Sequence, residues 1–403
     1  MAEIVWNVKA RYQYTDDSEA ASVEAATNDE ENAVGTAPDI IVSGHLCLDL
    51  IPSMAHVPLS ALGTPGRLYE VGALTFSTGG AVSNTGLALH RLGVNVGLMA
   101  TVGDDLVGQA IISFLENRDP ELSRWIRKAP NQSSSYTIVL SPENVDRIFL
   151  HCACTNSSFG AESIDYAQLD GVKLFHLGYP PILPRLMIND GEELETICRR
   201  VKAMGVITSL DTSLPDPAGV SGQVNWEKLL RRTLPFVDIF VPSIQEILFM
   251  LRREQYNTWP LPVEDHVTFG LLDELAFELL GMGAAVVGFK LGHSGFYIRG
   301  GRPERLSALE ALPINLASWA NRYAFHPAFA VQVAGTTGAG DSAYAGLLAA
   351  MLRGYGLDDA VRWACAVGAC NVEAADATSG IRTWEETEQR LASGWATQPH
   401  HLT

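Results

Sequence analysis

The amino-acid sequence predicts an α/β protein, with a mostly parallel central sheet, helices on both of its faces and a small additional β layer. From residue 39 onward, short apolar runs alternate with stretches of helical periodicity, and glycines follow several of the helical stretches as C-cap residues do. Such β–α alternation is typical of a parallel sheet covered by helices. The apolar runs lie at 40–44, 94–102, 173–178, 206–211, 237–241 and 284–290, and the helical stretches lie near 84–92, 107–117, 190–204, 244–253, 271–281, 341–353 and 357–374.

Two stretches interrupt this alternation. Residues 67–77 and 135–151 have the pattern of short antiparallel strands, and the second stretch has turn residues, Ser-Pro-Glu-Asn, at 141–144. We expect these strands to form the additional β layer.

Length and composition indicate one large folded domain with distinct ends. The chain has 403 residues, 47% of them hydrophobic, which is enough to bury a sizeable core. Residues 1–38 carry many Asp and Glu among Ala, Ser, Thr and Asn, and we expect them to be a disordered acidic arm. Residues 39–395 are expected to form the folded domain, and 396–403 a flexible tail.

Charge and cysteine spacing exclude several classes of function. The net charge is −18 and no basic stretch exceeds two residues, which argues against binding to nucleic acid or to an anionic membrane. No apolar run approaches the roughly 20 residues that span a bilayer. The six cysteines lack zinc-type spacing, and Cys152 and Cys154 are too close for a usual disulfide framework. We therefore expect reduced thiols and a cytoplasmic protein.

The most informative segment is residues 335–346, Gly-Thr-Thr-Gly-Ala-Gly-Asp-Ser-Ala-Tyr-Ala-Gly, which follows a strand-like run at 329–333 and opens a helical stretch. A glycine-rich turn at a helix N-terminus leaves backbone N–H groups that, with the helix dipole, hold an anion. Gly338 and Gly340 allow close approach of that anion. Asp341 follows directly, where it is suited to take a proton from a hydroxyl that attacks a phosphate. The segment therefore indicates phosphoryl transfer from a nucleotide to an alcohol.

A second segment lies near the other end of the chain. Residues 79–84, Gly-Gly-Ala-Val-Ser-Asn, open a helical stretch that ends at Gly93, and a polar turn at 103–108 follows the next buried run. By itself, this pattern is also that of a plain αβ unit with tight turns.

A carboxylate marks the end of the first apolar run, residues 39–50. In open α/β sheets, ligands bind beyond the carboxyl ends of the strands, which is where Asp49 is expected. A carboxylate can accept hydrogen bonds from two vicinal hydroxyls of a polyol. The alternative is an aspartate that caps a helix or a turn.

Together, these segments resemble the ribokinase-like (PfkB) family of carbohydrate kinases, over about residues 39–385. The resemblance implies a ribokinase-like fold in which the β layer is a lid over the sugar. It also implies that Asp341 is the catalytic base. The remaining implied roles are an anion hole at Gly338, Ala339 and Gly340, and sugar contacts at Asp49, Gly79, Gly80 and Asn84.

The resemblance extends to the nucleotide side. Residues 290–295, Lys-Leu-Gly-His-Ser-Gly, are similar to a family turn that lies along the nucleotide, and residues 243–246 are similar to its Asn-x-x-Glu motif, with Ser in place of Asn. The implied cofactors are ATP and Mg²⁺, the latter held through water by Glu246. Ser-x-x-Glu is also simply a capping box. The nucleotide-binding residues implied are Ser243, Lys290, Gly292, Gly295, Thr336 and Thr337.

Several positions depart from the family pattern. Gly335 stands where many relatives carry an Asp that helps bind K⁺, so we expect weak activation by monovalent cations. Ala81 and Cys47 replace the Lys and Asn of ribokinases proper, so ribose is not the favoured acceptor, and nucleosides, ketohexoses, deoxy-ketoacids and phosphosugars stay open. His151 and Asn156 face either the sugar or the solvent.

The function indicated is an ATP-dependent phosphotransferase acting on a hydroxyl of a sugar or sugar-like small molecule. A homodimer formed through the lid is compatible with the family pattern. The alternative function is a protein of the same fold that binds a ligand or a partner without catalysis.

Overall fold

The computed structural model describes residues 37–54, 57–142, 148–400 and 402, so nearly all of the expected acidic arm at 1–38 lies outside the described residues. Thirteen strands are assigned to two sheets within these ranges. The strands are β1 (Ile40–Gly44), β2 (Cys47–Pro52), β3 (Leu74–Gly79), β4 (Val96–Gly103), β5 (Trp125–Ala129), β6 (Tyr136–Leu140), β7 (Ile148–Cys152), β8 (Leu174–Gly178), β9 (Ile207–Leu210), β10 (Ile239–Phe240), β11 (Val286–Lys290), β12 (Phe296–Gly300) and β13 (Tyr323–His326).

The central sheet has nine strands in the order β13-β12-β11-β10-β9-β8-β1-β4-β5. From β11 to β5 all neighbours run parallel, and only β12 and β13 are antiparallel additions at one edge. Because parallel strands are joined by crossover helices, their carboxyl ends meet along one edge of the sheet. The predicted fold class is confirmed.

Helices cover both faces of this sheet. Alternate residues of β1 show the two faces, since Ile40 and Val42 pack into one apolar core and Ile41 packs into another. The first core includes residues of α1, α2, α9, α10 and α11, and the second includes residues of α3, α4, α5 and α7. The helices are α1 (Ala81–Arg91), α2 (Leu106–Glu116), α3 (Glu192–Ala203), α4 (Trp226–Thr233), α5 (Ile244–Leu251), α6 (Arg253–Thr258), α7 (Phe269–Met282), α8 (Pro303–Leu306), α9 (Ala339–Leu352), α10 (Leu357–Asn371) and α11 (Trp384–Ala392).

The small sheet is formed by β3-β2-β6-β7, and it differs from expectation in two ways. The apolar run at 39–50 is two strands, because the chain leaves the central sheet after Gly44 and enters the small sheet at Cys47. Residues 67–73 form no strand, since the assigned ladder with β2 ends at the pair Pro52–Leu74 and only two backbone hydrogen bonds, both to Ser53, follow it. Of the expected turn at 141–144, residues 143 and 144 lie outside the described residues.

The strand-like run at 329–333 is not a strand of either sheet, so this part of the sequence interpretation is wrong. Its single β-bridge joins Phe329 to Thr397, and Gln398 N donates to Ala328 O at 2.7 Å. The described part of 396–403 is therefore joined to the domain by backbone hydrogen bonds, and the flexibility of this tail stays a prediction. Leu402 is buried in the second apolar core, the one that includes residues of α3, α4, α5 and α7.

The expectation of six reduced thiols is also wrong, because Cys152 and Cys154 form a disulfide. Cys154 has a positive φ of 41°, and the turn it makes brings the two Cα atoms to 5.5 Å, within the usual range for a disulfide. The other four cysteines are free and buried. The cytoplasmic location stays a prediction. Within the described ranges, none of the helices has the length and apolar character needed to cross a membrane.

Candidate active site

The glycine turn lies at the N-terminus of α9. Gly338 has a φ of 72° and precedes the helix, and a Cβ added there would lie 2.8 Å from Ala377 O, so this position needs glycine. Ala339 N donates to Thr336 O at 3.3 Å. The N–H groups of Gly340 and Asp341 donate to no backbone carbonyl of a described residue. The turn therefore leaves two N–H groups at the helix N-terminus without a backbone acceptor among the described residues.

Asp341 is 2% exposed in the first turn of α9. Its carboxylate accepts hydrogen bonds from Asn84 Nδ2 at 3.0 Å, Thr85 Oγ1 at 3.3 Å and the Tyr179 hydroxyl at 2.6 Å. Burial raises the pKa of Asp341 above its ordinary value, and the charge of Lys290 and these three donors act against that rise. The side chain is thus a desolvated carboxylate held in one orientation.

Lys290, at the end of β11, is the cation beside this turn. Its Nζ lies 2.5 Å from Oδ1 of Asp211, a wholly buried carboxylate, and its Cδ would be 3.3 Å from a Cβ added to Gly340. Burial acts to lower the pKa of Lys290, but the charges of Asp211, Glu246 and Asp341 raise it above its usual value. Lys290 is therefore protonated within a group of three carboxylates.

Ser243 and Glu246 form the capping box of α5. Ser243 Oγ accepts from Glu246 N at 3.2 Å, and Glu246 Oε2 accepts from Ser243 N at 2.9 Å. Thr212 Oγ1 also donates to Glu246 Oε2, at 2.6 Å. The structural interpretation of Ser-x-x-Glu is confirmed, and it fixes the direction of a carboxylate that borders the same cavity as Lys290.

A cavity of about 620 Å³ brings the nucleotide-side residues together. This volume lies within the range of small-molecule sites, about 300–1,000 Å³. Helix α10 adds an apolar wall through residues between Ala364 and Val372. Thr337 and the four predicted sugar contacts do not line it. The predicted residues that do line it are Ser243, Glu246, Lys290, Gly292, Gly295, Thr336, Gly338, Ala339, Gly340 and Asp341.

The predicted sugar contacts lie where β1 passes into the small sheet. Asp49 packs on Gly79, since a Cβ added to Gly79 would lie 2.3 Å from Asp49 Oδ2. Burial raises the pKa of Asp49 to about 6, although hydrogen bonds from Cys47 and Thr137 lower it. Gly80 has a φ of 89° and packs on the His45 side chain and backbone.

Asn84 lies deeper than the sequence suggested. It is on the buried face of α1 and donates to Asp341, whereas the resemblance implied a contact to the sugar. Its Oδ1 is buried and has no hydrogen-bond partner among the described residues. Asn84 is thus positioned to orient the Asp341 carboxylate through its amide nitrogen.

Two of the uncertain positions have partners in the structure. His151 on β7 is exposed, and its Nε2 atom lies 3.3 Å from that of His45. Asn156 is buried and donates to Leu46 O at 3.0 Å, so it supports the backbone between the two sheets.

Five side chains of this site were not predicted from the sequence: His45, Thr85, Tyr179, Asp211 and Thr212. All but Thr85, which is on α1, directly follow a strand of the central sheet or lie one residue further on. The signal was therefore available, because polar residues just beyond the carboxyl ends of parallel strands converge on one edge.

The sequence is similar to those of known proteins. Residues 37–384 match the family described as pfkB family carbohydrate kinase. The 2-dehydro-3-deoxygluconokinase of Bacillus subtilis is 25% identical over 332 residues, which cover 81% of this chain and 90% of that protein. The 5-dehydro-2-deoxygluconokinase of Shouchella clausii is 21% identical over 359 residues, which cover 86% of this chain and 94% of that protein.

Solved structures agree on the fold. Ribokinase of Arabidopsis thaliana, complexed with ribose and ATP, superposes with a TM-score of 0.67 at 17% identity, covering 88% of this chain and 99% of that one. Fructokinase of Xylella fastidiosa with bound ATP superposes with a TM-score of 0.66 at 16% identity, covering 89% of this chain and 99% of that one. At such identities the likeness establishes the ribokinase fold alone. The family match, however, spans residues 37–384, well over half of this chain, so this protein belongs to the pfkB family of carbohydrate kinases.

Proposed function

We propose that this protein transfers the γ-phosphoryl group of ATP to a hydroxyl of a sugar or sugar-like acceptor, with Asp341 as the general base. The observation that carries the proposal is the position of Asp341. It is a buried carboxylate with three side-chain donors, directly beside a glycine turn with two available N–H groups and beside Lys290. No other carboxylate among the described residues that line the cavity has this set of neighbours.

The residues of the cavity fit ATP and Mg²⁺. Glycine at 340 leaves room beside Lys290 that a side chain would fill, which suits a phosphate group. Glu246 offers a buried carboxylate, and Oδ2 of Asp211 is buried without a partner among the described residues. Oxygen ligands of this kind suit Mg²⁺, which usually keeps several waters. When bound, the ion would neutralise charge on the phosphate oxygens.

The chain's own residues then perform the transfer. The acceptor hydroxyl loses its proton to Asp341 as its oxygen bonds to the γ-phosphorus, and the bond from that phosphorus to the ADP oxygen breaks. The N–H groups of Gly340 and Asp341, with the Lys290 ammonium, stabilise charge on the transferred oxygens. Asn84, Thr85 and Tyr179 keep the Asp341 carboxylate aimed at the hydroxyl. Ala339 contributes less than expected, since its N–H already points to Thr336 O.

The acceptor is proposed to lie between Asp49, Gly79 and Gly80, under the small sheet. Asp49 would accept hydrogen bonds from vicinal hydroxyls, and the absence of a side chain at Gly79 leaves the space that the Asp49 carboxylate occupies. The relatives' names give the first acceptors to try, 2-dehydro-3-deoxygluconate and 5-dehydro-2-deoxygluconate.

A homodimer through the small sheet remains a proposal. Its outer side exposes large apolar side chains, including Leu74 at 48% and Phe76 at 45%. Exposed apolar patches mark interaction surfaces. Light scattering of the purified protein would decide between monomer and dimer.

The test is ADP release with MgATP across keto-deoxy sugar acids, ketohexoses, phosphosugars and nucleosides, for wild type and Asp341→Asn. Loss of a general base lowers turnover by roughly 10²–10⁴-fold. Turnover with one acceptor, lost in the variant, supports both the reaction and the base. Near-full activity of the variant would refute the role of Asp341. ATP binding without turnover on any acceptor would favour a non-catalytic binding protein.

A further inference from the structure

The C-terminal segment, residues 394–400, lies beyond residue 384, where the match to the family ends. It runs antiparallel to residues 328–330. Ala330 N donates to Ala396 O at 2.8 Å, and Gln398 N donates to Ala328 O at 2.7 Å. The segment is thus joined by backbone hydrogen bonds to the stretch that leads into the glycine turn.

Trp395 anchors the segment. Its ring stacks on Phe329 with centroids 4.4 Å apart, and its Nε1 donates to Ala330 O at 3.0 Å. The Arg390 guanidinium lies over the Trp395 ring, 3.5 Å from its centroid. Both terminal nitrogens of this guanidinium donate to the Glu373 carboxylate, each at 2.7 Å. Since Glu373 lies two residues after the end of α10, the segment is held to the same helix that lines the cavity.

Gln398 is the side chain that this segment contributes to the cavity. It lines the cavity together with apolar residues that include Phe329, Val331 and Cys365. The Gln398 amide makes no hydrogen bond to any other residue that the structure describes. A polar group among apolar walls, with both its donor and its acceptor available, is the usual way a small-molecule site reads a flat heterocycle.

We propose that Gln398 reads the purine base of the donor nucleotide and that the C-terminal segment is part of the nucleotide site. The amide oxygen accepts from the exocyclic amine of adenine while the amide nitrogen donates to a neighbouring ring nitrogen, the pairing that glutamine makes with adenine elsewhere. This inference rests on the proposed function, because it takes the cavity to hold ATP. Gln398 is then a specificity residue that touches the base and takes no part in phosphoryl transfer.

The test is calorimetric binding of two ligands, ADP and purine riboside diphosphate, which lacks only the exocyclic amine. The variant Gln398→Ala is compared with wild type and with Gln389→Ala, an exposed glutamine on α11. Loss of one or two hydrogen bonds weakens ADP binding by roughly three- to tenfold. The same variant weakens binding of purine riboside diphosphate less, since this ligand has no exocyclic amine for Gln398 to contact. Gln389→Ala binds both ligands as wild type does.

The outcomes separate the two proposals. If wild type binds ADP and Gln398→Ala binds it equally well, or loses both ligands by the same factor, base reading by Gln398 is overturned and the kinase proposal stands. If wild type binds neither ligand, the nucleotide cavity itself is wrong and both proposals fail. A thermal melt of each variant checks that the segment stays attached.

Discussion

The hydroxyl of Tyr179 donates a hydrogen bond of 2.6 Å to Oδ2 of Asp341. Tyr179 directly follows β8 and has a φ of 67°, in the left-handed region that bulky residues rarely adopt. Its backbone N also donates to Asp211 O at 3.3 Å. One residue in an uncommon conformation therefore links the end of β9 to the proposed base, and such conformations persist where the surrounding structure enforces them.

Tyr179→Phe is expected to move the acid limb of the pH profile of kcat to higher pH. The ring is kept and the donor is lost, and because that donor lowers the pKa of Asp341, its removal raises the pKa further. A higher pKa leaves less carboxylate at a given acidic pH. Plateau activity changes by less than about tenfold, since the base itself is kept. The acid limb is measured by ADP release, with Tyr323→Phe, 52% exposed, as the control. Superimposable profiles would exclude this role of Tyr179.

Lys290→Met is expected to reduce both turnover and stability. Removal of one donor that stabilises charge in the transition state lowers kcat by roughly 10²–10³-fold. Asp211 is left buried without its cation, and breaking a buried ion pair costs about 3–5 kcal/mol in the free energy of unfolding.

The double variant Lys290→Met/Asp211→Asn separates these two effects. Because it removes the uncompensated charge, it should regain much of the stability measured by urea unfolding while its turnover stays low. If the double variant also recovered turnover, Lys290 would be a structural residue only.

The sequence predicted most directly what lies in one short segment. The glycine turn and Asp341 are six neighbouring residues, and the structure keeps them together at the N-terminus of α9. Asn84 and Asp341 are 257 positions apart, and no local pattern indicates that the amide meets the carboxylate. The same holds for His45, between β1 and β2, and His151 on β7, which are 106 positions apart.

Strand assignment failed where tertiary pairing overrides local pattern. Residues 329–333 are apolar enough for a strand, but their bridge partner is Thr397, in a segment whose polar composition suggested a flexible tail. The break at 45–46 was hidden for the opposite reason: the apolar run continues across it, although the chain passes there from one sheet to the other. Periodicity reports burial and not the sheet in which a residue is buried.

Gly79→Ala is expected to weaken acceptor binding selectively. A Cβ there would lie 2.3 Å from Oδ2 and 2.7 Å from Oδ1 of Asp49, so the whole carboxyl group must move. A displacement of about 1 Å at a binding group can cost on the order of 10²-fold. We expect a large rise in acceptor KM with ADP affinity unchanged. Gly63→Ala is the matched control, because nothing lies within 4 Å of its added Cβ. An unchanged KM in Gly79→Ala would remove Asp49 from the acceptor site.

His176 is expected to make stability fall with decreasing pH. The side chain is fully buried on β8, its Nδ1 lies 2.9 Å from Ser209 Oγ, and its ring meets Tyr344 edge-on at 4.9 Å. Burial, aided by the charge of Lys290, lowers the pKa of His176 to about 3. In the unfolded chain a histidine takes up a proton near pH 6.5. The unfolded state therefore gains protons first, and stability is lost as pH falls from about 6.5 toward 3.

The variant His176→Gln isolates this contribution from that of the buried carboxylates, whose titration is common to both proteins. The free energy of unfolding of wild type minus that of the variant should decrease by about 2 kcal/mol between pH 7 and pH 5, as a histidine kept neutral in the folded state requires. Denaturant melts at four pH values measure this difference. Parallel stability curves for the two proteins would mean that His176 is protonated in the folded state, and that the pocket beside Lys290 is more hydrated than its burial indicates.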